Sequence, residues 1–192
     1  MSTAPILQMT EAEYLAAERV ATERHEYLAG ECWAMSGGTR AHSILQVNLL
    51  RELSSALRSR PCDVHASDMR IKSEVTGLYT YPDASISCEE PRFLDATQDT
   101  LLNPTAVFEV LSDSTEAYDR GKKFDHYRHI PSIRDYVLVS QGKVQIEHFR
   151  RQPDGTWTLR VLGPGDHLEV ADCRIPVDEV YLKVFPAPAP PA

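Results

Sequence analysis

Apolar positions along the chain change period several times, and each change marks an element. From Arg40 to Arg58, Ala41, Ile44, Leu45, Leu49, Leu53, Ala56 and Leu57 recur mostly at three- and four-residue steps. They form one apolar stripe, so the segment predicts a long helix that ends before Pro61. A shorter helix is predicted from Thr10 through Tyr14, Leu15 and Ala17. Thr10 and Glu13 have capping-box spacing, in which each side chain satisfies a backbone N–H of the first turn. Glu26 to Met35 reads as a hairpin about Ala29-Gly30, and Gly37-Gly38 breaks the chain after it. The pattern then shifts to strands at 64–66, 69–74 and 81–88, followed by a polar surface loop over 89–104. Ala106 to Leu111 is apolar except for Glu109, the pattern of a buried central strand. A second helix is predicted from Glu116 to His129, capped by Asp113 or Ser114 and closed by Pro131. Ile133–Val139 is a further strand. Val144–Phe149 and Thr156–Leu162 flank Gln152-Pro-Asp-Gly155 as a hairpin, and 167–170 and 181–184 are fainter strand patterns. The order implies an α/β protein, a mixed sheet with helices packed on it.

Composition supports a globular chain. Its 192 residues are 42% hydrophobic and 25% charged, enough for a sizeable core in a single domain. That domain is expected over residues 1–185, with the Pro/Ala segment 186–192 as a disordered extended tail. No apolar run approaches the ~20 residues that span a bilayer, and the N-terminus has no signal-peptide pattern. Cys32, Cys62, Cys88 and Cys173 are scattered without a Cys-x-x-Cys pair, so reduced thiols and a cytoplasmic location are expected, a pairing in space staying open. The net charge of −8 counts against tight non-specific binding of nucleic acid, though a carboxylate-built metal site is compatible with it.

Two acids stand out. Asp83 follows Pro82 at the start of a strand, and Glu109 lies inside Val107-Phe-Glu-Val-Leu111. An unpaired carboxylate in a buried strand costs roughly several kcal/mol. A divalent cation or a cationic side chain would offset that cost. Paired carboxylates on neighbouring strands suit Mg2+, which prefers oxygen and keeps several waters. For Glu109 the plainer alternative is a buried salt bridge, and for Asp83 a turn or cap. Asp119 and Lys123 are four apart on one helix face, which by itself reads as a solvated ion pair. Gly121 between them suggests close approach of another group or an untidy helix start. Glu26, Glu31 and His42 could lean into a site, with structural roles as the plainer reading. Neither a Gly-x-Ser-x-Gly elbow, a phosphate-binding Gly-rich loop nor a His-Glu-x-x-His motif occurs.

Tyr81-Pro-Asp-Ala-Ser-Ile-Ser, Phe108-Glu-Val-Leu-Ser-Asp-Ser-Thr115 and Tyr118-Asp-Arg-Gly-Lys-Lys-Phe-Asp-His-Tyr127 resemble the Uma-type family, catalogued as restriction-endonuclease candidates and as a domain of unknown function. Thr10–Tyr14, Glu26–Glu31 and Arg40-Ala-His42 fit its N-terminal part, and the resemblance covers most of residues 8–184. The family looks like a branch of the PD-(D/E)XK nucleases. The resemblance therefore implies a restriction-endonuclease-like core of mixed sheet and two helices, with added C-terminal hairpins. It implies that Asp83 and Glu109 are catalytic acids binding Mg2+ or Mn2+, together with the Val110 carbonyl. It further implies that Lys123 replaces the lysine that the superfamily pattern places where this chain has Leu111, and that Glu26, or Glu31 nearby, is an additional acid.

The leading expectation is a metal-dependent endonuclease acting on DNA. The alternative is a catalytically inactive nuclease fold that binds nucleic acid or protein. An RNA substrate is not separable from DNA at this level. A basic stripe of Arg40, Arg51, Arg58, Lys122 and Arg128 would favour nucleic acid. The C-terminal hairpins offer a surface for a homodimer, which suits cutting of two strands.

Overall fold

The computed structural model describes residues 8–35 and 37–186. The segment 187–192, most of the expected tail, lies outside the described residues.

Helix α1 (Glu11–Glu18) starts on the expected capping box, with Thr10 N–H donating to the Glu13 carboxylate at 2.7 Å. Strands β1 (His25–Leu28) and β2 (Glu31–Ala34) make the hairpin. Its two turn residues, Ala29 and Gly30, both have positive φ (51° and 94°), the geometry of a tight two-residue turn. Helix α2 (Arg40–Leu57) is capped by Thr39, whose hydroxyl accepts from His42 N–H.

The strands that follow are β3 (Asp63–Ala66), β4 (Arg70–Lys72), β5 (Tyr79–Thr80), β6 (Ala84–Ser87), β7 (Thr100–Leu101) and β8 (Ala106–Leu111). Next come α3 (Glu116–Tyr118), a π-helical turn (Asp119–Lys123) and α4 (Phe124–Tyr127). The chain ends in β9 (Asp135–Ser140), β10 (Ile146–Arg151), β11 (Trp157–Leu162), β12 (His167–Val170), β13 (Cys173–Pro176) and the short α5 (Val177–Val180).

The main sheet has the order β11-β10-β9-β8-β6-β3, and a smaller one runs β2-β1-β5-β4-β7. In the main sheet only β8 and β9 are parallel; the other pairs are antiparallel. Both faces of β8 are covered. Phe108 and Val110 pack with Leu45, Leu49, Leu53 and Leu57 of α2, while Val107 and Leu111 pack with Tyr127, Ile130 and Tyr136. Each fully buried leucine contributes about 1.5–3 kcal/mol. Two-sided burial is why β8 reads as a continuous apolar run.

Several expectations need correction. The strand expected over 81–88 is broken: β5 ends at Thr80 and β6 starts at Ala84, in different sheets. Pro82 lies in the gap, where a residue without an N–H cannot extend a ladder. The loop over 89–104 contributes β7, which pairs parallel with β4. The helix expected from Glu116 caps at Thr115 without a side-chain bond, rather than at Asp113 or Ser114, and contains the π turn. Tyr181–Val184 forms turns, because β12 pairs instead with β13. Cys62 and Cys88 are disulfide-bonded, contrary to the reduced thiols expected. The β3–β6 register, Asp63 opposite Ser87, brings them face to face across 26 residues of sequence. Cys32 and Cys173 are free.

Candidate active site

The break at Pro82 builds the first half of the site. Ala84 pairs with Phe108, so the same register places Pro82 opposite Val110. A strand residue directs its N–H and C=O to the same edge. Proline cannot donate, so the ladder brings the Val110 carbonyl no hydrogen bond from Pro82. The N–H is taken by a side chain: Val110 N donates to Asp83 Oδ2 at 2.7 Å. The carbonyl gains no donor from the opposing proline. Asp83 Oδ1 is 3.2 Å from His42 Nε2 and accepts from Gln46 Nε2 at 3.4 Å. The hydrogen bond to Asp83 raises the His42 pKa, against the effect of burial.

Glu109 forms the second half, on the opposite face of β8 from Phe108 and Val110. Its Oε1 accepts from Tyr127 OH at 3.0 Å and forms an ion pair with Lys123 Nζ at the same distance. Neither contact uses Oε2. Lys123 Nζ also lies 3.0 Å from Glu26 Oε1 and 3.4 Å from Asp119 Oδ1. Glu26 is held by Thr80, whose hydroxyl donates to Oε1 at 2.6 Å. Asp119 Oδ1 is buried without a hydrogen-bond partner, its contact with Lys123 being too long to satisfy it well. Asp119, Lys123 and Tyr127 follow four-residue steps. Such steps drift around an α-helix, and the wider π turn reduces the drift, so all three face the sheet. Tyr136 OH donates to the Asp119 carbonyl at 2.9 Å, giving the distorted turn an outside partner.

Burial pushes the Glu109 pKa well up, and the charges of Asp119, Asp83 and Glu26 push in the same direction while Lys123 opposes them. Burial likewise raises Asp119. For Lys123, burial works toward loss of the proton, but Glu109, Glu26, Tyr127 and Asp119 outweigh it and hold the ammonium charged.

All five residues expected at the site, Glu26, Asp83, Glu109, Val110 and Lys123, line one cavity of about 510 Å3. The acids Asp113 and Asp119 join them, against His42 and Lys123 as the basic groups. Of the two glutamates left open, Glu26 enters the site and Glu31 is exposed on β2. His42 reaches it as well. The plain reading of Asp119 and Lys123 as a solvated pair is wrong: they are 2% and 5% exposed. At Gly121 no atom lies within 4 Å of where a Cβ would stand, so close packing is not the reason for glycine there. Of the basic residues that could form a stripe, Arg51 pairs with Glu52 and Glu179, and Arg128 with Asp125, while Arg40 donates to the carbonyls of Lys183 and Val184. Sequence reasoning missed Tyr127 and Gln46, whose residue types carry no signal of the site.

A family model described as "Putative restriction endonuclease", Uma2, matches residues 11–174. The chain belongs to the Uma2 family. Two uncharacterized proteins of Synechocystis sp. are similar to this Uma2 chain. One is 39% identical, covering 93% of this chain and 94% of its own length, and the other 36% identical, covering 87% and 95%. A crystal structure described as a putative nuclease belonging to DUF820, from Anabaena variabilis, superposes with TM-score 0.73 at 16% identity, over 94% of this chain and all of that one. The likeness shows the fold, mixed α/β of the restriction-endonuclease type. No described helix is long and apolar enough to cross a membrane.

Nucleases of this class generally use divalent metals, so the fit of the cavity to one is a fair test. Among the described residues no three or more His, Cys, Asp and Glu side chains stand as a ready-made metal cluster. Mg2+ does not require one, since it keeps several waters and takes one or two carboxylates. Glu109 Oε2 takes no part in the contacts with Tyr127 and Lys123, the Val110 carbonyl faces a proline, and Asp119 Oδ1 is an orphaned buried oxygen. Oxygen atoms so placed, in an acidic cavity, suit a hard cation.

Proposed function

We propose that this Uma2 protein is a metal-dependent endonuclease that hydrolyses DNA phosphodiester bonds. The observation that carries the reading is the convergence of Asp83, Glu109 and Val110, whose carbonyl faces a proline, on one acidic cavity with Lys123 buried beside them. Asp83, Glu109 and the Val110 carbonyl would hold Mg2+ or Mn2+, with Glu26 as a further acid. The ion, when bound, would polarise the phosphoryl oxygens and ease deprotonation of a water nucleophile.

The chain's own residues supply orientation and charge. Val110 N–H fixes one oxygen of Asp83, and Tyr127 OH fixes Oε1 of Glu109. Lys123 keeps its proton, so it acts as a fixed positive charge beside a phosphate rather than as a base. We place the reaction in the cytoplasm, where a disulfide such as Cys62–Cys88 is uncommon. A homodimer joined at the β11 edge completes the reading, one cavity for each DNA strand.

A second reading is a catalytically inactive nuclease fold that binds nucleic acid or protein. It is favoured by Leu111 in place of the superfamily lysine, and by Glu109 already being paired with Lys123. The two readings separate in one experiment. Purified protein is incubated with plasmid, single-stranded DNA and RNA plus Mg2+ or Mn2+, beside Glu109→Gln and Lys123→Met. Metal-dependent nicking of DNA by wild type alone is the expected result. Inert wild type that still binds metal would give the second reading precedence, and cleavage confined to RNA would correct the substrate.

A further inference from the structure

The far end of the main sheet carries a second cleft of opposite charge. It opens where β8 and β9 begin and β6 ends, and has a volume of about 350 Å3. That is within the range of small-ligand pockets. Thr105 borders this cleft and Val110 the acidic cavity; five residue steps along the strand, roughly 17 Å, separate them.

Four guanidinium groups line the cleft: Arg60, Arg134, Arg150 and Arg151. Its acidic lining residues are Asp135 and Asp172. Asp135 is already engaged, its buried Oδ1 contacting His148 Nε2 at 2.6 Å and Arg150 Nε at 2.8 Å. Asp172 reaches Arg60 only at 4.0 Å with its side chain 94% exposed. Glu89 reaches Arg134 only at 3.7 Å, and both are largely exposed. Contacts that long between wet groups hold little energy. Arg151 has no carboxylate partner among the described residues. Its Nη2 donates to the carbonyls of Arg128 and Ile130, and its buried Nε has no acceptor. The guanidinium stacks over Trp157 at 4.9 Å.

A buried N–H without an acceptor is costly and uncommon in native proteins. Here it belongs to a cation whose charge no neighbouring acid balances, inside a cleft where other arginines converge. The chain as a whole carries −8, so this concentration of positive charge stands against the overall field. Guanidinium forks match the oxygens of phosphate in paired hydrogen bonds. The Cys62–Cys88 disulfide, also in the lining, ties the β3 and β6 ends that form one wall.

We propose that this cleft binds a phosphate-bearing anion, at a site separate from the acidic cavity. The chemistry is that of a phosphate or diphosphate group, free in solution or at the end of an oligonucleotide. It does not depend on the nuclease reading.

Isothermal titration with pyrophosphate, in low salt and without divalent cations, tests it. Wild type is compared with the double variant Arg60→Glu/Arg134→Glu. Both side chains sit at the exposed rim, so circular dichroism of the variant should match wild type. The expected result is one site in wild type and at least tenfold weaker binding in the variant. Short oligonucleotides with and without a 5′-phosphate serve as competitors. Displacement only by the phosphorylated form assigns a terminal phosphate; failure of both assigns a free phosphate ion; equal displacement by both assigns the backbone diester. No binding by wild type, or equal affinity in the two proteins, overturns the proposal.

Discussion

Lys123 Nζ stands 3.0 Å from carboxylates of both Glu26 and Glu109, in a cavity that also holds Asp83, Asp113 and Asp119. Removing one partner of a buried charge network leaves the others uncompensated, at a cost of about 3–5 kcal/mol. Lys123→Met should therefore lower stability by about that amount in urea unfolding without metal. Added Mg2+ should restore part of the loss, because a cation that binds the native state stabilises it by mass action. A variant as stable as wild type would show that the ammonium does not balance these acids. Asp83→Asn makes the opposite case. The amide oxygen can still accept from Val110 N–H, and only the contacts of the other oxygen with His42 and Gln46 are weakened, so stability should fall by about 1–2 kcal/mol, the scale of one or two hydrogen bonds. Metal-dependent cleavage should be lost with the carboxylate charge. Retained cleavage would remove Asp83 from the metal site. Glu109 was legible in the sequence because a charge within an apolar run requires compensation. Asp119 was not, because its spacing to Lys123 is the same for a solvated pair and a buried one.

The helical segment after β8 shows what an element adds. Its apolar pattern reveals a helix, but not the π turn that turns Asp119 and Lys123 toward the sheet. Gly121 sits in that turn with open space where a Cβ would be. Gly121→Ala should stabilise the protein by about 0.5–1 kcal/mol, through reduced freedom of the unfolded chain. Thermal melting checks it; a lowered melting temperature would mean the π turn needs glycine. The disulfide between the β3 and β6 ends closes a loop of 26 residues. On loop-closure entropy it contributes about 3 kcal/mol. Reduction, or Cys88→Ser, should lower stability by that order, measured by unfolding with and without reductant. Unchanged stability would mean the thiols are not bonded in solution. Scattered cysteines gave no hint of this pair, since their meeting depends on strand register rather than on spacing.

At the scale of the molecule, β11 is the edge of the main sheet, bonded to β10 on one side. Leu159 and Val161 are exposed on it. A free edge with apolar side chains favours pairing with another strand. The homodimer of the proposed function should appear as twice the chain mass in sedimentation, and Val161→Lys should return it to monomer. A monomeric wild type at working concentration would sink the dimer. The two pockets of opposite charge lie at opposite ends of the same strands. Neither is visible in the net charge of −8, which averages over them.

The sequence by itself determined the helix α2, the capped start of α1, the β1–β2 hairpin, the buried strand β8 and the family. Each rests on period, capping or motif, which are local properties of neighbouring residues. It also named Glu26, Asp83, Glu109, Val110 and Lys123, through a family resemblance and one misplaced charge. The tertiary structure decided that these residues share a cavity, that Asp119 and His42 join them, and that Cys62 meets Cys88. Those outcomes depend on how distant segments are brought within a few ångströms. Coulomb energy and desolvation act through space, and no spacing along the chain encodes them.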